Sequence, residues 1–451
     1  MRLLYRQGKT RLCGALPEPG HFIKGDLMRH VIIGYSVAAI SAIKSIREID
    51  KTSEITVLTN ESSVYSRPLI SYFLAGKVKK DKLSFIPETF EKEMKITVKW
   101  NTAVVKINPA AKTVITSKKE KLKYDRLLIS TGGTPIKPPI AGYADDIAGI
   151  FTFVKLDEVE KLIKYIEKNK IKECVILGAG LIGMKAAEGL LARKIKLRIV
   201  EMADRLLANT FDSAASLLLE EKLKESGSEF LKETTIKKII SKSKKLEALE
   251  LSSGKTLKTG LLIMAVGVRP DIELAKGTEL KVNRGLVVNK NMETNIPGIY
   301  AAGDAAEGKD FLSGENAVIA IWPVAARQGS VAGFNMAGKK AEYDGMFPMN
   351  SVTILGVPSI SFGLTNPKAG AYQVLLSNEG GKYKKIVLKD GIIVGVVLVN
   401  AIERAGIFGL LIKQKLDVSA LKKQLLFDDF GFLVLPKDFR KHFVTGEGTE
   451  V

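Results

Sequence analysis

The stretch Cys174-Val175-Ile176-Leu177-Gly178-Ala179-Gly180-Leu181-Ile182-Gly183 decides how this chain is read. Four apolar residues predict a short buried strand, the glycines a tight turn, and Met184 to Arg193 the helix that follows. The first glycine permits the turn, the second lets the backbone approach a diphosphate, and the third lets helix and strand pack closely. Unpaired N–H groups at the helix start then face the anion. Lys196 to Val200 read as the next strand and end on Glu201, about 20 residues past the glycines, where a carboxylate accepts both hydroxyls of a ribose. The same charge repels a 2′-phosphate, which favours NADH over NADPH. Gly178, Gly180, Leu181, Ile182, Gly183 and Glu201 are thus the candidate NAD residues.

A weaker copy of the pattern stands near the start of the chain. His30-Val31-Ile32-Ile33-Gly34 reads as a strand, Val37 to Ile49 as a helix and Ile55 to Leu58 as the next strand. Its turn, Gly34-Tyr35-Ser36-Val37-Ala38-Ala39, has Ser36 and Ala39 where the second and third glycines stand in the other copy. Ala39 still permits close packing, and the Ser36 hydroxyl can itself donate a hydrogen bond. Two apolar runs, Leu127 to Gly133 and Leu261 to Gly267, each end at glycine before a proline-bearing turn and read as crossings between two nucleotide folds. Thr131 and Gly132 on the first crossing are candidate FAD contacts, and Gly267 on the second is a candidate NAD contact. Gly298-Ile299-Tyr300-Ala301-Ala302-Gly303-Asp304 is a late strand closing on Gly303 and Asp304, where an aspartate can bind a ribityl hydroxyl of FAD.

Two nucleotide turns, two glycine-ended crossings and a late Gly-Asp, in this order, resemble the FAD-dependent pyridine nucleotide-disulfide oxidoreductase superfamily. The closer likeness is to its NADH:rubredoxin reductase and nitrite-reductase flavin-module branch, over roughly Met28 to Lys441. The resemblance implies an α/β fold of two Rossmann-like domains, the NAD domain inserted in the FAD domain, plus a small α+β C-terminal domain. The implied boundaries are an FAD-binding domain at 28–140 and 268–345, an NAD-binding domain at 141–267, and an interface domain at 346–451. It also implies that Tyr65-Ser66-Arg67-Pro68-Leu69 lies beside the isoalloxazine ring, with Arg67 a cationic donor and Pro68 fixing the backbone. Many relatives end that segment on a lysine paired with a glutamate after the second glycine turn; here those places hold Tyr72 and Lys185. Lys185 is thereby the candidate catalytic residue, a cation near flavin N5, with a plain helix-surface lysine as the alternative. Asn60 stands where relatives place an acidic residue for the FAD ribose, so with Ser36 it implies weaker FAD retention. Trp322 and Pro323 open a predicted helix whose positive end would approach the flavin's N1–C2=O edge. Trp322 either shields the ring or is core.

Composition bounds the alternatives. At 451 residues the chain has room for several cores, and a 46% hydrophobic, 26% charged make-up is that of a globular protein. Its net charge of +20 is spread along the sequence rather than gathered in one arm, so no nucleic-acid partner is expected. A basic face receiving an acidic redox carrier protein is the sharper reading. No apolar run approaches the roughly 18 residues of a membrane span. The only cysteines, Cys13 and Cys174, exclude a four-cysteine iron–sulfur cluster held by this chain, and point to a reducing, cytoplasmic setting. With three histidines and no ligand spacing, no metal site is expected. Residues 1–27, with Pro17 and Pro19 and no periodicity, read as a disordered N-terminal extension before Met28.

Three functions remain open on the sequence. The leading one is an NADH-dependent FAD oxidoreductase that feeds a one-electron acceptor protein such as rubredoxin or ferredoxin. A second is an electron-input subunit of a larger metalloenzyme, docked through the C-terminal domain, where Phe427 to Leu435 form an apolar stretch. Homo-oligomerisation through that domain is also open. A third is a non-catalytic redox sensor. Disulfide or peroxide reduction is disfavoured, since the family's active cysteine has no counterpart between Arg67 and Gly76.

Overall fold

In the computed structural model, which describes residues 27–368 and 370–436, two parallel sheets repeat one strand plan. The expectation for the N-terminal extension lies outside the described residues, apart from Leu27. The first sheet runs Ile299–Ala301, Arg126–Ile129, Arg29–Ile33, Glu54–Leu58, Thr97–Lys99. The second runs Ile150–Thr152, Leu262–Met264, Glu173–Leu177, Lys196–Val200, Glu229–Leu231. Every pairing in both is parallel. Central strands of such sheets are covered on both faces, which is why Val31–Ile33 and Cys174–Leu177 are unbroken apolar runs rather than alternating ones. In each sheet the chain leaves the central strand at its glycine turn, with strands of opposite direction of progress on either side. That is the switch point where open α/β sheets receive ligands.

Small residues set how closely the first fold closes over its turn. The helix Val37–Ile49 lies against Trp322–Met336, and a Cβ on Gly329 or Gly333 would sit 2.1 Å from Ala38 O or 2.3 Å from Ala42 O. This contact brings the Trp322 end of the late helix to the mouth of the first turn. Proline sits in that helix's first turn, where its missing N–H costs nothing. The crossings pair with each other: Gly133–Pro135 and Val268–Pro270 form an antiparallel ribbon between the two sheets.

The C-terminal part is a five-stranded antiparallel sheet, ordered Met349–Ile354, Val357–Gly363, Ile392–Val399, Lys382–Lys389, Gln373–Glu379, with the helix Ala405–Gln414 on one face. Asp390 and Gly391 join Lys382–Lys389 to Ile392–Val399 with φ of 52° and 77°, the doubly positive pair that an Asp-Gly hairpin turn requires. The apolar stretch Phe427 to Leu435 is split. Phe430 and Leu435 are buried, whereas Phe427, Phe432, Leu433 and Val434 are exposed, Leu433 at 85%.

Candidate nucleotide-binding site

A cleft of about 730 Å3 opens at the carboxyl end of the first sheet and runs under the crossing ribbon. Gly34 and Ser36 lie at its base. Gly34 has a φ of +93°, and a Cβ there would stand 2.2 Å from Ser130 O, so only glycine lets the turn pass this close. Ser36 takes the N-cap position of the helix Val37–Ile49 without a side-chain capping bond, which leaves its hydroxyl available to a ligand. Ala39 is fully buried and serves packing; it does not line the cleft.

Asn60 and Glu61 form one wall at the end of Glu54–Leu58, and Thr131 and Gly132 form another. Thr131 Oγ1 donates to Asp271 O at 2.7 Å, tying the two crossings together. Gly303 N donates to Oε1 of the buried Gln328 at 2.9 Å, which fixes Asp304 at the cleft. Burial pushes the Asp304 carboxyl above its usual range while Arg67 draws it down. Arg67 Nη2 donates to Glu61 Oε1 at 2.7 Å, and Nη1 to Val154 O at 3.1 Å. Pro68 lines the cleft beside it. Trp322 forms a half-buried wall of the cleft and packs edge-on against Phe85, their centroids 4.9 Å apart, outside the buried core; Pro323 is exposed and outside the lining.

At the second turn the three glycines separate by function. A Cβ on Gly178 would stand 2.5 Å from Ala265 O, and one on Gly183 would stand 2.0 Å from Gly178 O. Gly180 meets nothing within 4 Å: what its missing side chain keeps clear is open space over the turn. Leu181 begins the helix Leu181–Ala192, and Ile182 reaches the cleft, where the second fold meets the first. Gly267, with a φ of +117°, accepts a hydrogen bond from Ile136 N at 3.0 Å and holds the ribbon rather than lining the cleft.

Glu201 is already fixed at the turn. Its Oε2 accepts from Ala179 N at 2.7 Å and its Oε1 from Ala203 N at 2.9 Å. Each carboxylate oxygen has a further lone pair for a ribose hydroxyl. Glu201→Gln should therefore narrow the NADH/NADPH ratio of kcat/KM by roughly tenfold, through lost repulsion of the 2′-phosphate. An unchanged ratio would show that another group makes the choice.

Lys185 is placed elsewhere. Its ammonium lies 5.0 Å from the Tyr72 ring centroid, pairs with Glu188 and donates to Thr353 O at 3.3 Å, and it is not among the cleft-lining residues. The cation that does line the cleft, besides Arg67, is Lys155. Its ammonium makes no hydrogen bond or salt bridge among the described residues but acts on Asp271, whose carboxyl, raised by burial, it draws down, and it also faces an adjoining cavity of about 310 Å3 with Asn60, Glu61, Lys80, Asp157 and Glu160. A half-buried ammonium without a hydrogen-bonded partner, on the wall of a cleft that Gly34 also lines, suits a phosphate. Sequence reading missed Lys155, Glu61 and Gln328; only Glu61 carried a signal, as the acidic neighbour of Asn60. Among the described residues no cluster of His, Cys, Asp or Glu could hold a metal, and no helix is long and apolar enough to cross a membrane.

Bare backbone at Gly34, open space at Gly180, a free Ser36 hydroxyl and a Lys155 ammonium without a hydrogen-bonded partner all fit nucleotide diphosphates. Two such folds, the second reaching the cleft of the first through Val154, Lys155 and Ile182, define a dinucleotide-binding protein. Residues 28–329 match the pyridine nucleotide-disulphide oxidoreductase model, and residues 348–416 match the rubredoxin NAD+ reductase C-terminal domain. The chain is 33% identical over 346 residues to an NADH oxidase of Methanocaldococcus jannaschii, spanning 75% of this chain and 76% of that one. It is 30% identical over 403 residues to the NADH-dependent phenylglyoxylate dehydrogenase subunit epsilon of Aromatoleum evansii, spanning 88% and 94%. The structure of NADH:rubredoxin oxidoreductase from Clostridium acetobutylicum superposes with a TM-score of 0.72 at 26% identity, over 87% of this chain and 96% of that one. The chain belongs to the pyridine nucleotide-disulphide oxidoreductase family. It is an NADH-dependent oxidoreductase with FAD and NADH as its cofactors.

Proposed function

We propose that this enzyme passes electrons from NADH through FAD to a one-electron carrier protein of the rubredoxin or ferredoxin kind. We assign FAD to the first turn and the cleft, within 28–140 and 268–345, and NADH to the second turn, within 141–267. Bound FAD supplies the hydride acceptor and the one-electron release that side chains lack. The chain's own residues bind and orient: Gly34, Ser36 and Lys155 face the FAD diphosphate, Asp304 its ribityl chain, and Glu201 the NADH ribose. Arg67, held by Glu61 and Val154 O, is a fixed cation beside the ring.

The observation that carries the acceptor class is the state of Cys174. It is the free cysteine among the described residues, it lies buried in the strand Glu173–Leu177, and burial pushes its thiol far up, so it offers no thiolate to a disulfide. With the thiol–disulfide route through Cys174 closed, the proposed exit for the electrons is a protein partner, in the cytoplasm on this reading. With a net charge of +20, encounter with an acidic carrier is steered by charge. Stopped flow across a salt series tests this. Carrier reduction should slow steeply as screening shortens from about 10 Å at 0.1 M to about 3 Å at 1 M, while flavin reduction by NADH changes little. Carrier reduction that ignores salt would defeat the steering.

A second reading has its own support. The Aromatoleum relative is a dehydrogenase subunit, and Phe427, Phe432, Leu433 and Val434 give the C-terminal part an exposed apolar strip. On that reading this chain is the electron-input subunit of a metalloenzyme complex. Stable co-purification with metal-bearing subunits would favour it.

A further inference from the structure

The elements flanking the second nucleotide turn are gripped from outside their own sheet. Asn366, in the loop after Val357–Gly363, donates its side-chain amide to Ala208 O at 3.1 Å and to Phe211 O at 3.3 Å. Lys385 Nζ stands 2.7 Å from Asp212 Oδ2, and the Tyr383 hydroxyl donates to the same oxygen at 2.5 Å. Asp212 meanwhile caps the helix Ser213–Glu225 through Ala215 N. A further contact falls on the helix Leu181–Ala192, where Leu355 N donates to Glu188 Oε1 at 2.9 Å.

These contacts converge on two elements, the helix that starts at the Gly180 turn and the loop 202–212 that starts at Glu201. Within that loop, Ala203 N holds Glu201 Oε1 and Leu207 N donates to Ala179 O. The Lys385 side chain is 9% exposed and that of Asp212 20%, so the ammonium, left without its carboxylate, would be a largely buried uncompensated charge.

We propose that the C-terminal sheet is a clamp on the NADH site, with Asn366 and Lys385 as positioning residues that hold the 202–212 loop, and through it Glu201, in the geometry that receives the nucleotide. The inference rests on the assignment of NADH to the second turn. It has a consequence for partners. A protein that binds the C-terminal sheet and shifts the clamp must alter NADH affinity, and NADH must alter that partner's affinity by the same factor.

The test uses FAD-loaded full-length enzyme carrying Asn366→Ala, Lys385→Met or Lys385→Arg, with Gly180→Val in parallel. The readouts are Kd for NAD+, KM for NADH against kcat, FAD content and melting temperature. Asn366→Ala and Lys385→Met should each raise Kd and KM roughly fivefold, with kcat and FAD content nearly unchanged. Lys385→Arg should restore most of the affinity. Should Lys385→Met fail to fold, Asn366→Ala carries the test on its own. If Gly180→Val weakens NAD+ binding and the clamp variants do not, the clamp is overturned. If Gly180→Val leaves NAD+ binding intact, the assignment of NADH to this turn fails. Loss of FAD and of thermal stability in step with NAD+ affinity would also overturn the clamp, because a merely structural contact moves all three.

Discussion

Gly180→Val should leave a folded, yellow protein that NADH reduces only at concentrations on the order of 100 times higher than wild type needs. What a side chain would meet differs between the two glycines. At Gly183 a Cβ would strike the Gly178 carbonyl at 2.0 Å, so substitution there damages the turn itself. At Gly180 a Cβ meets no protein atom within 4 Å, and the backbone there has an ordinary negative φ of −75°. The fold therefore tolerates valine, and the loss falls on the ligand whose diphosphate occupies that space. A loss of about 3 kcal/mol, the low end for two backbone hydrogen bonds to an anion at about 1.5–3 kcal/mol each, sets the size of the effect. Flavin reduction rate against NADH concentration measures it, with FAD content and melting temperature as controls. Wild-type NADH dependence in the variant would move NADH off this turn.

Asp304→Ala should yield mostly apoprotein, with FAD bound about 10- to 100-fold more weakly, as expected for a lost hydrogen bond to a charged group. Its carboxyl is held at the cleft by the Gly303 to Gln328 bond, and burial raises its pKa. A raised carboxyl pKa means that the folded state resists the ionised form, so at neutral pH the group costs stability, and the cost fades as pH falls through the raised value. Removing the carboxyl should accordingly leave apo Asp304→Ala at least as stable as apo wild type at neutral pH. The holo forms should rank the other way. Full, tightly held FAD in the variant would defeat the assignment. Wild type should itself shed some FAD on dilution, given Ser36 and Asn60 at positions where glycine and an acid bind more firmly.

Features written locally in the chain were legible from it. The apolar run before Gly178 and the glycines after it fix a strand, a turn and a helix within about a dozen residues, and Asp390-Gly391 fixes a hairpin in the same way. The geometry of the candidate site was legible at turn residues: Gly34 and Gly303 line the cleft, and Gly180 opens on free space. It was not legible where a side chain's direction depends on distant partners. The direction of Lys185 is decided by Tyr72, by Glu188 and by a carbonyl 168 residues away. Lys155 is one lysine among many until the fold sets it, without a hydrogen-bonded partner, between two cavities. Gln328 reaches Gly303 from a helix whose position depends on Gly329 and Gly333 meeting the distant helix Val37–Ile49.

The central claim is that hydride from NADH enters at the flavin and electrons leave singly to a protein. Anaerobic stopped flow in two steps tests it most directly: NADH first bleaches the flavin, and the reduced enzyme is then mixed with an acceptor. Rubredoxin or ferredoxin should restore the oxidised flavin spectrum rapidly, with two carrier molecules reduced per NADH consumed. Coenzyme A disulfide and hydrogen peroxide should restore it slowly or not at all. Rapid reoxidation by a disulfide or a peroxide, with no faster response to either carrier protein, would contradict the account.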